Sequence, residues 1–133
     1  MNISLPANRI TMAKPLKTIF KKNLSLKVNG SLWLECDGKK YFGPGPVELL
    51  ERIADTGSIN KAAAQMGMSY SKAWEIIDRL NAKSSSPLVK TQTGGKKGGG
   101  SVISPEAKLL IAYYQQLRKL FLSFLEKQSR LLD

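Results

Sequence analysis

Histidine is absent from this chain of 133 residues, and cysteine occurs once, at Cys36. Without histidine no histidine-based catalytic triad can be assembled. With a single thiol added, one chain cannot build a zinc site of the usual nitrogen and sulfur ligands. A lone cysteine forms no internal disulfide, which points to a reducing cytoplasm and leaves Cys36 as a small apolar residue expected to be buried. No apolar run approaches the ~20 residues that cross a bilayer. The first twenty residues also lack the continuous apolar stretch of a secretory signal. Negative charge is scarce too: 10 acidic residues stand against 21 basic ones, a formal charge of +11. That excess points to a polyanionic partner, but DNA, RNA and anionic lipid satisfy it equally.

What is present suits a folded chain with one core, since 42% of residues are hydrophobic and 23% charged. Residues 1–23 form a basic segment punctuated by Pro6 and Pro15, in which Arg9, Lys14, Lys17, Lys21 and Lys22 read as a solvated tail able to reach phosphates. From Leu24 the pattern has period two. Leu24, Leu26 and Val28 alternate, Asn29-Gly30 offers a tight turn, and Leu32, Leu34 and Cys36 alternate on the return. Asp37-Gly38 suggests a second turn before Tyr41-Phe42. This predicts a two- or three-stranded antiparallel unit with Trp33 on the opposite face, too small to be stable alone.

Gly43-Pro44-Gly45-Pro46 ends the strands, and Val47, Leu50, Ile53 and Ala54 then recur at helical spacing, giving a helix over 46–56. Two more helices follow over 59–66 and 69–82. Ser58 and Ser69 are placed to cap them, and Gly67 lies at the sharp turn between. In the third helix Ala73, Ile76, Ile77 and Leu80 form the inward stripe. This is a helix-turn-helix over 58–82. Pro87–Thr91 and Val102-Ile103 read as strands of a basic hairpin over 88–104, joined by the glycine-lysine run Thr93–Ser101. A last helix starts at Pro105 and ends near Leu132. The fold class is therefore α+β, mainly α: residues 24–104 make a winged helix-turn-helix with an N-terminal β-hairpin, and 105–133 a long C-terminal dimerisation helix.

The residues expected to meet DNA are Ser58, Asn60 and Lys61 at the second helix, and Ser69, Tyr70, Ser71, Lys72 and Arg79 on the third. Lys90, Thr93, Gly95, Lys96 and Lys97 would contribute from the wing. Glycines allow close backbone approach, and the lysines add salt-sensitive attraction to phosphates. Each polar residue alone reads as an ordinary solvated side chain; only their setting in a helix-turn-helix beside a basic loop favours contact. Trp74 is expected to brace the third helix, and Glu75 and Asp78 to form local ion pairs. Leu110, Tyr114, Leu117, Phe121, Phe124 and Leu131 fall at spacings of four and three and predict a dimer seam, broken by Gln128. A twofold dimer would read an inverted-repeat operator in double-stranded DNA.

Nucleotide-phosphate loops are disfavoured: Gly95 and Gly100 have the glycine spacing, but Ser101 stands where lysine is needed. Gly43-Pro44-Gly45 likewise lacks the third glycine of a dinucleotide fingerprint. The reading calls for no catalytic residue, metal or cofactor, and for no membrane.

Residues from about Pro46 to Leu117 resemble the DNA-binding domain of the molybdate-dependent transcriptional regulators, the ModE family. The resemblance rests on Thr56-Gly57-Ser58-Ile59, Met68-Ser69-Tyr70, Ala73-Trp74, Leu80-Asn81, Leu88-Val89 and Thr93-Gly94-Gly95-Lys96 with Gly98-Gly99-Gly100. A broader similarity to the LysR-type winged helix runs through the same elements. The resemblance implies a dimeric winged-helix DNA binder acting on molybdate-transport or molybdenum-cofactor genes. Family members also carry C-terminal oxyanion-binding domains. Because this sequence stops at Asp133, it is expected to lack them, so molybdate binding is not carried over and a separate effector protein is a possible source of regulation. The rivals are a non-specific architectural DNA-binding protein and a winged-helix protein-interaction module.

Overall fold

The computed structural model describes residues 15–92 and 100–133. Its elements run β1 (Leu34–Cys36), β2 (Lys39–Phe42), α1 (Pro44–Thr56), α2 (Ile59–Gln65), α3 (Tyr70–Ala82), β3 (Val89–Gln92), β4 (Gly100–Ile103) and α4 (Pro105–Arg130), after one 3₁₀ turn at Leu16–Ile19. This is a winged helix-turn-helix of the α+β class. Contacts divide the chain into two units: Ser31–Lys119, and Leu120–Asp133 with the segment that ends at Gly30.

The helices of the first unit start and stop for local reasons. Pro44 sits in the first turn of α1, where its missing N–H costs nothing. Gly57 closes α1 in the left-handed conformation, φ 68°, donating its N–H to Ile53 O at 2.8 Å. Ser58 and Ser69 cap α2 and α3 as expected: their Oγ atoms accept from the Lys61 N–H at 3.1 Å and the Lys72 N–H at 3.0 Å. Gly67 turns the chain between them at φ 66°. The core gathers Phe42 from β2, Val47, Leu49, Leu50 and Ile53 from α1, Ile59, Ala62 and Ala63 from α2, and the predicted stripe Ala73, Ile76, Ile77 and Leu80 from α3. Small alanines let α2 and α3 approach closely, which a turn this short demands.

The N-terminal hairpin forms at the expected Asp37-Gly38 turn before Tyr41-Phe42, but the expected first turn is missing. Asn29-Gly30 does not form a turn between strands; residues 24–33 carry no ladder, and Leu24, Leu26 and Val28 are exposed. The hairpin forms one repeat later, pairing Leu34 with Phe42, Glu35 with Lys40 and Cys36 with Lys39. Its two-residue turn holds both positive backbone angles, Asp37 at φ 53° and Gly38 at φ 76°, which matches the natural twist of paired strands. The reason lies in long-range demand. Leu32 O accepts the Tyr114 hydroxyl at 3.0 Å, and in the other unit the Val28 N–H donates to Ser129 Oγ at 2.8 Å. Cys36 is half-buried, not fully buried.

Tyr114 is a second correction. It was expected on a dimer seam, yet it is 1% exposed, packed edge-on against Phe42 with ring centroids 5.9 Å apart. Burial pushes its phenol pKa above the ordinary tyrosine value, and the Arg118 guanidinium partly opposes that.

Candidate nucleic-acid interface

The exposed side of α3 follows from its buried side. Ala73, Ile76, Ile77 and Leu80 face the core, so at about 100° per residue Ser71, Glu75 and Asp78 lie on the outer face. Two edges flank that face. Tyr70 and Asn81 lie along one, Lys72 and Arg79 along the other. Ser69, Tyr70, Ser71, Lys72 and Arg79 are all exposed, as the sequence predicts, and none is buried by the protein itself. Among the described residues no buried side-chain nitrogen or oxygen lacks a partner.

Tyr70 is half exposed and meets Trp74 edge-on, ring centroids 6.2 Å apart. Trp74, partly buried against the core, thus props the aromatic ring at the helix start. Lys72 Nζ stands 3.7 Å from Glu75 Oε2, an exposed contact worth little and easily exchanged for a phosphate. Among the described residues Asp78 has no such pair.

The wing is fixed to α3 by Asn81 and to the end of α1 by Ser101, neither of which was expected to do so. Asn81 Oδ1 accepts from the Leu88 N–H at 2.8 Å and the Val89 N–H at 3.3 Å, while its amide donates to Val89 O at 3.2 Å. From the other side, the Ser101 N–H donates to Gly57 O at 2.8 Å. A Cβ added at Gly100 would stand 3.1 Å from that same oxygen, tighter than ordinary contact, so glycine suits this close approach. The signal was present as Leu80-Asn81 next to Leu88-Val89, but nothing local says that an asparagine amide bonds a strand seven residues on. The strands run in register from Val89–Ile103 to Gln92–Gly100, with Lys90 exposed. Thr93, Gly95, Lys96 and Lys97 lie outside the described residues, as do Arg9 and Lys14.

Where these parts meet there is an open cleft of about 210 Å³ lined by Ser58, Asn60, Tyr70, Thr91, Gln92 and Ser101. Asn60 and Lys61 are exposed beside it. The Oγ atoms of Ser58 and Ser69 already serve as caps, which leaves each hydroxyl free to act as donor. The structure therefore brings the described wing residues, the start of α2 and the start of α3 to one surface. Among the described residues no cluster of acidic or cysteine side chains could hold a metal ion. None of the described helices is long and apolar enough to cross a membrane.

The residues expected at a dimer seam are not equivalent. Leu110 is half-buried against the core and Leu117 is half-buried, both in the first unit with Tyr114. In the other unit Phe121 is half-buried, its ring lying against Gly30. Phe124 and Leu131 are exposed, as is Leu120.

Residues 46–105 match the family model described as bacterial regulatory helix-turn-helix protein, lysR family. The chain is 41% identical to a molybdenum transport protein ModE of Herbaspirillum seropedicae over 85 residues, 64% of this chain and 32% of that protein. It is 38% identical over 89 residues to the DNA-binding transcriptional dual regulator ModE of Escherichia coli K12, 67% of this chain and 34% of that one. The molybdenum-pterin-binding protein MopB of Rhodobacter capsulatus is 42% identical over 73 residues, 55% of this chain and 27% of its own. The chain thus spans about a third of the length of the first two relatives.

Proposed function

Residues 46–105 being a lysR-type helix-turn-helix domain related to the ModE regulators, we propose that this chain is a sequence-selective transcriptional regulator that binds duplex DNA. The observation that carries this reading is the exposed first turn of α3, Ser69–Lys72, held beside β3 and β4 by the Asn81 and Ser101 hydrogen bonds. An α-helix about 10–12 Å across fits a major groove about 12 Å wide. Ser69, Tyr70, Ser71 and Lys72 would reach base edges and nearby phosphates. Lys61 and Lys90, with Lys96 and Lys97, would supply sequence-independent attraction. The duplex being chromosomal, the site of action is the cytoplasm.

The regulator would work as a homodimer on an inverted repeat. Support comes from Leu120, Phe124 and Leu131, which recur at helical spacing and stay exposed, an apolar stripe that association would cover. Its target genes would serve molybdate transport or molybdenum-cofactor supply, a reading taken from the relatives' names. A separate effector protein is one route by which its activity would be set.

Gel-shift titration with a labelled promoter duplex and an excess of random competitor tests the reading. Retention of the complex against competitor is expected. Loss of selectivity with binding retained would indicate an architectural protein, and no binding at moderate salt would leave a protein-interaction module.

A further inference from the structure

A helix lying in the major groove has a sugar-phosphate strand along each edge. β3 and β4 stand at only one edge of α3. Tyr70 shares a cleft with Thr91 and Gln92, and Asn81 bonds the backbone of Leu88 and Val89. Arg79 is nine residues past Tyr70, half a turn around the helix, and so faces away from those strands.

On that far edge Arg79 lines a separate cavity of about 250 Å³ with Lys40, Tyr41, Gly43 and the first turn of α1. The hairpin that brings Lys40 there is rigidly attached. Tyr41 donates its hydroxyl to Leu80 O at 3.1 Å, and Phe42 beside it is wholly buried. Lys40 Nζ rests 4.3 Å above the centre of the Trp33 ring, which fixes the ammonium near the surface while leaving its N–H donors free. No acidic side chain occupies the first turn of α1, and among the described residues neither Arg79 nor Lys40 forms an ion pair. Lys72 continues the same edge toward the helix start.

Resting on the DNA-binding reading, we infer that Lys40 and Arg79 form a second phosphate clamp, contributed by the N-terminal hairpin. It would grip the strand opposite the one held by the wing, so that α3 is seated between two rails. The ligand chemistry is a tetrahedral oxyanion, and a backbone phosphate of the duplex is the source we assign; a free phosphate ion is the other possible source.

The test compares wild type with Lys40→Gln/Arg79→Gln and with Lys90→Gln, using duplex affinity across a range of salt and ethylation interference on each strand. Each lost phosphate contact lowers the slope of log affinity against log salt by about 0.9, so the double variant should lose about 1.8 and the wing variant about 0.9. Ethylation should cease to interfere on one strand for the double variant and on the other for Lys90→Gln. All three side chains being exposed, the variants should melt with wild type. An unchanged slope in a double variant whose wild type binds DNA overturns this inference alone, as does loss of interference on the same strand in both variants. Saturation of the cavity by inorganic phosphate at sub-millimolar concentration, with the DNA slope unaltered, would reassign it to a free oxyanion. A wild type that binds no duplex overturns both this inference and the reading beneath it.

Discussion

Tyr114 joins α4 to the irregular segment before β1 through a single hydroxyl, and its ring closes the core against Phe42. Removing the hydroxyl in Tyr114→Phe keeps the ring and should lower unfolding free energy by about 0.5–1.5 kcal/mol, read from urea denaturation. The phenol also makes stability pH-dependent. Its folded pKa is raised, so the neutral form is favoured by folding. The contribution is complete below the unfolded value of 10.0 and fades as pH climbs through the folded value. The wild-type advantage over Tyr114→Phe should therefore shrink as pH rises above 10.0, as a pH series of the same denaturation would record. Gly67 offers a complementary case. At φ 66° an added Cβ meets left-handed strain, so Gly67→Ala should cost about 1–2 kcal/mol, visible as a lower melting temperature. Both capping serines and this glycine were legible in the sequence, because a cap and a turn are decided by neighbours within three residues.

Helices, strands and wing were read with varying success, and the pattern has a physical cause. α2 and α3 announce themselves through caps and apolar spacing. The N-terminal hairpin was legible only in part, since Asn29-Gly30 and Asp37-Gly38 are equally good turn formers by local chemistry and only the second turns a hairpin. What separates them is the partner each flank finds: Phe42 enters the core, and Leu32 O is claimed by a tyrosine 82 residues away. The last helix shows the same limit. Its apolar spacing says that one side is covered, but not whether by its own chain or by a copy. Tyr114 went to the chain's own core, leaving Leu120, Phe124 and Leu131 exposed in the other unit. If the proposed homodimer forms through this stripe, Phe124→Asp with Leu120→Asp should shift sedimentation from dimer to monomer without loss of helix signal. Asn81→Leu should act on the wing. With three hydrogen bonds to β3 and the residue before it removed, amide exchange at Val89 and Leu88 should rise by at least tenfold while α1 stays protected.

For the whole molecule, charge and geometry separate affinity from selectivity. A net charge of +11 favours attraction to any polyanion, a duplex included, steeply weakened by salt. It carries no sequence information. In the proposed reading selectivity comes from the first turn of α3, whose side chains are exposed and stand outside the core. Substituting Lys72 by alanine should relax the preferred sequence, with discrimination falling by about 1–3 kcal/mol at one base pair, while total affinity at low salt changes little. Selection of bound duplexes from a fully randomised pool tests the account most directly. Enrichment of an inverted repeat is the predicted result, its half-sites centred one helical turn apart and one position per half-site loosened by Lys72→Ala. A pool that stays random through successive rounds, with the protein still bound to it, would contradict the account.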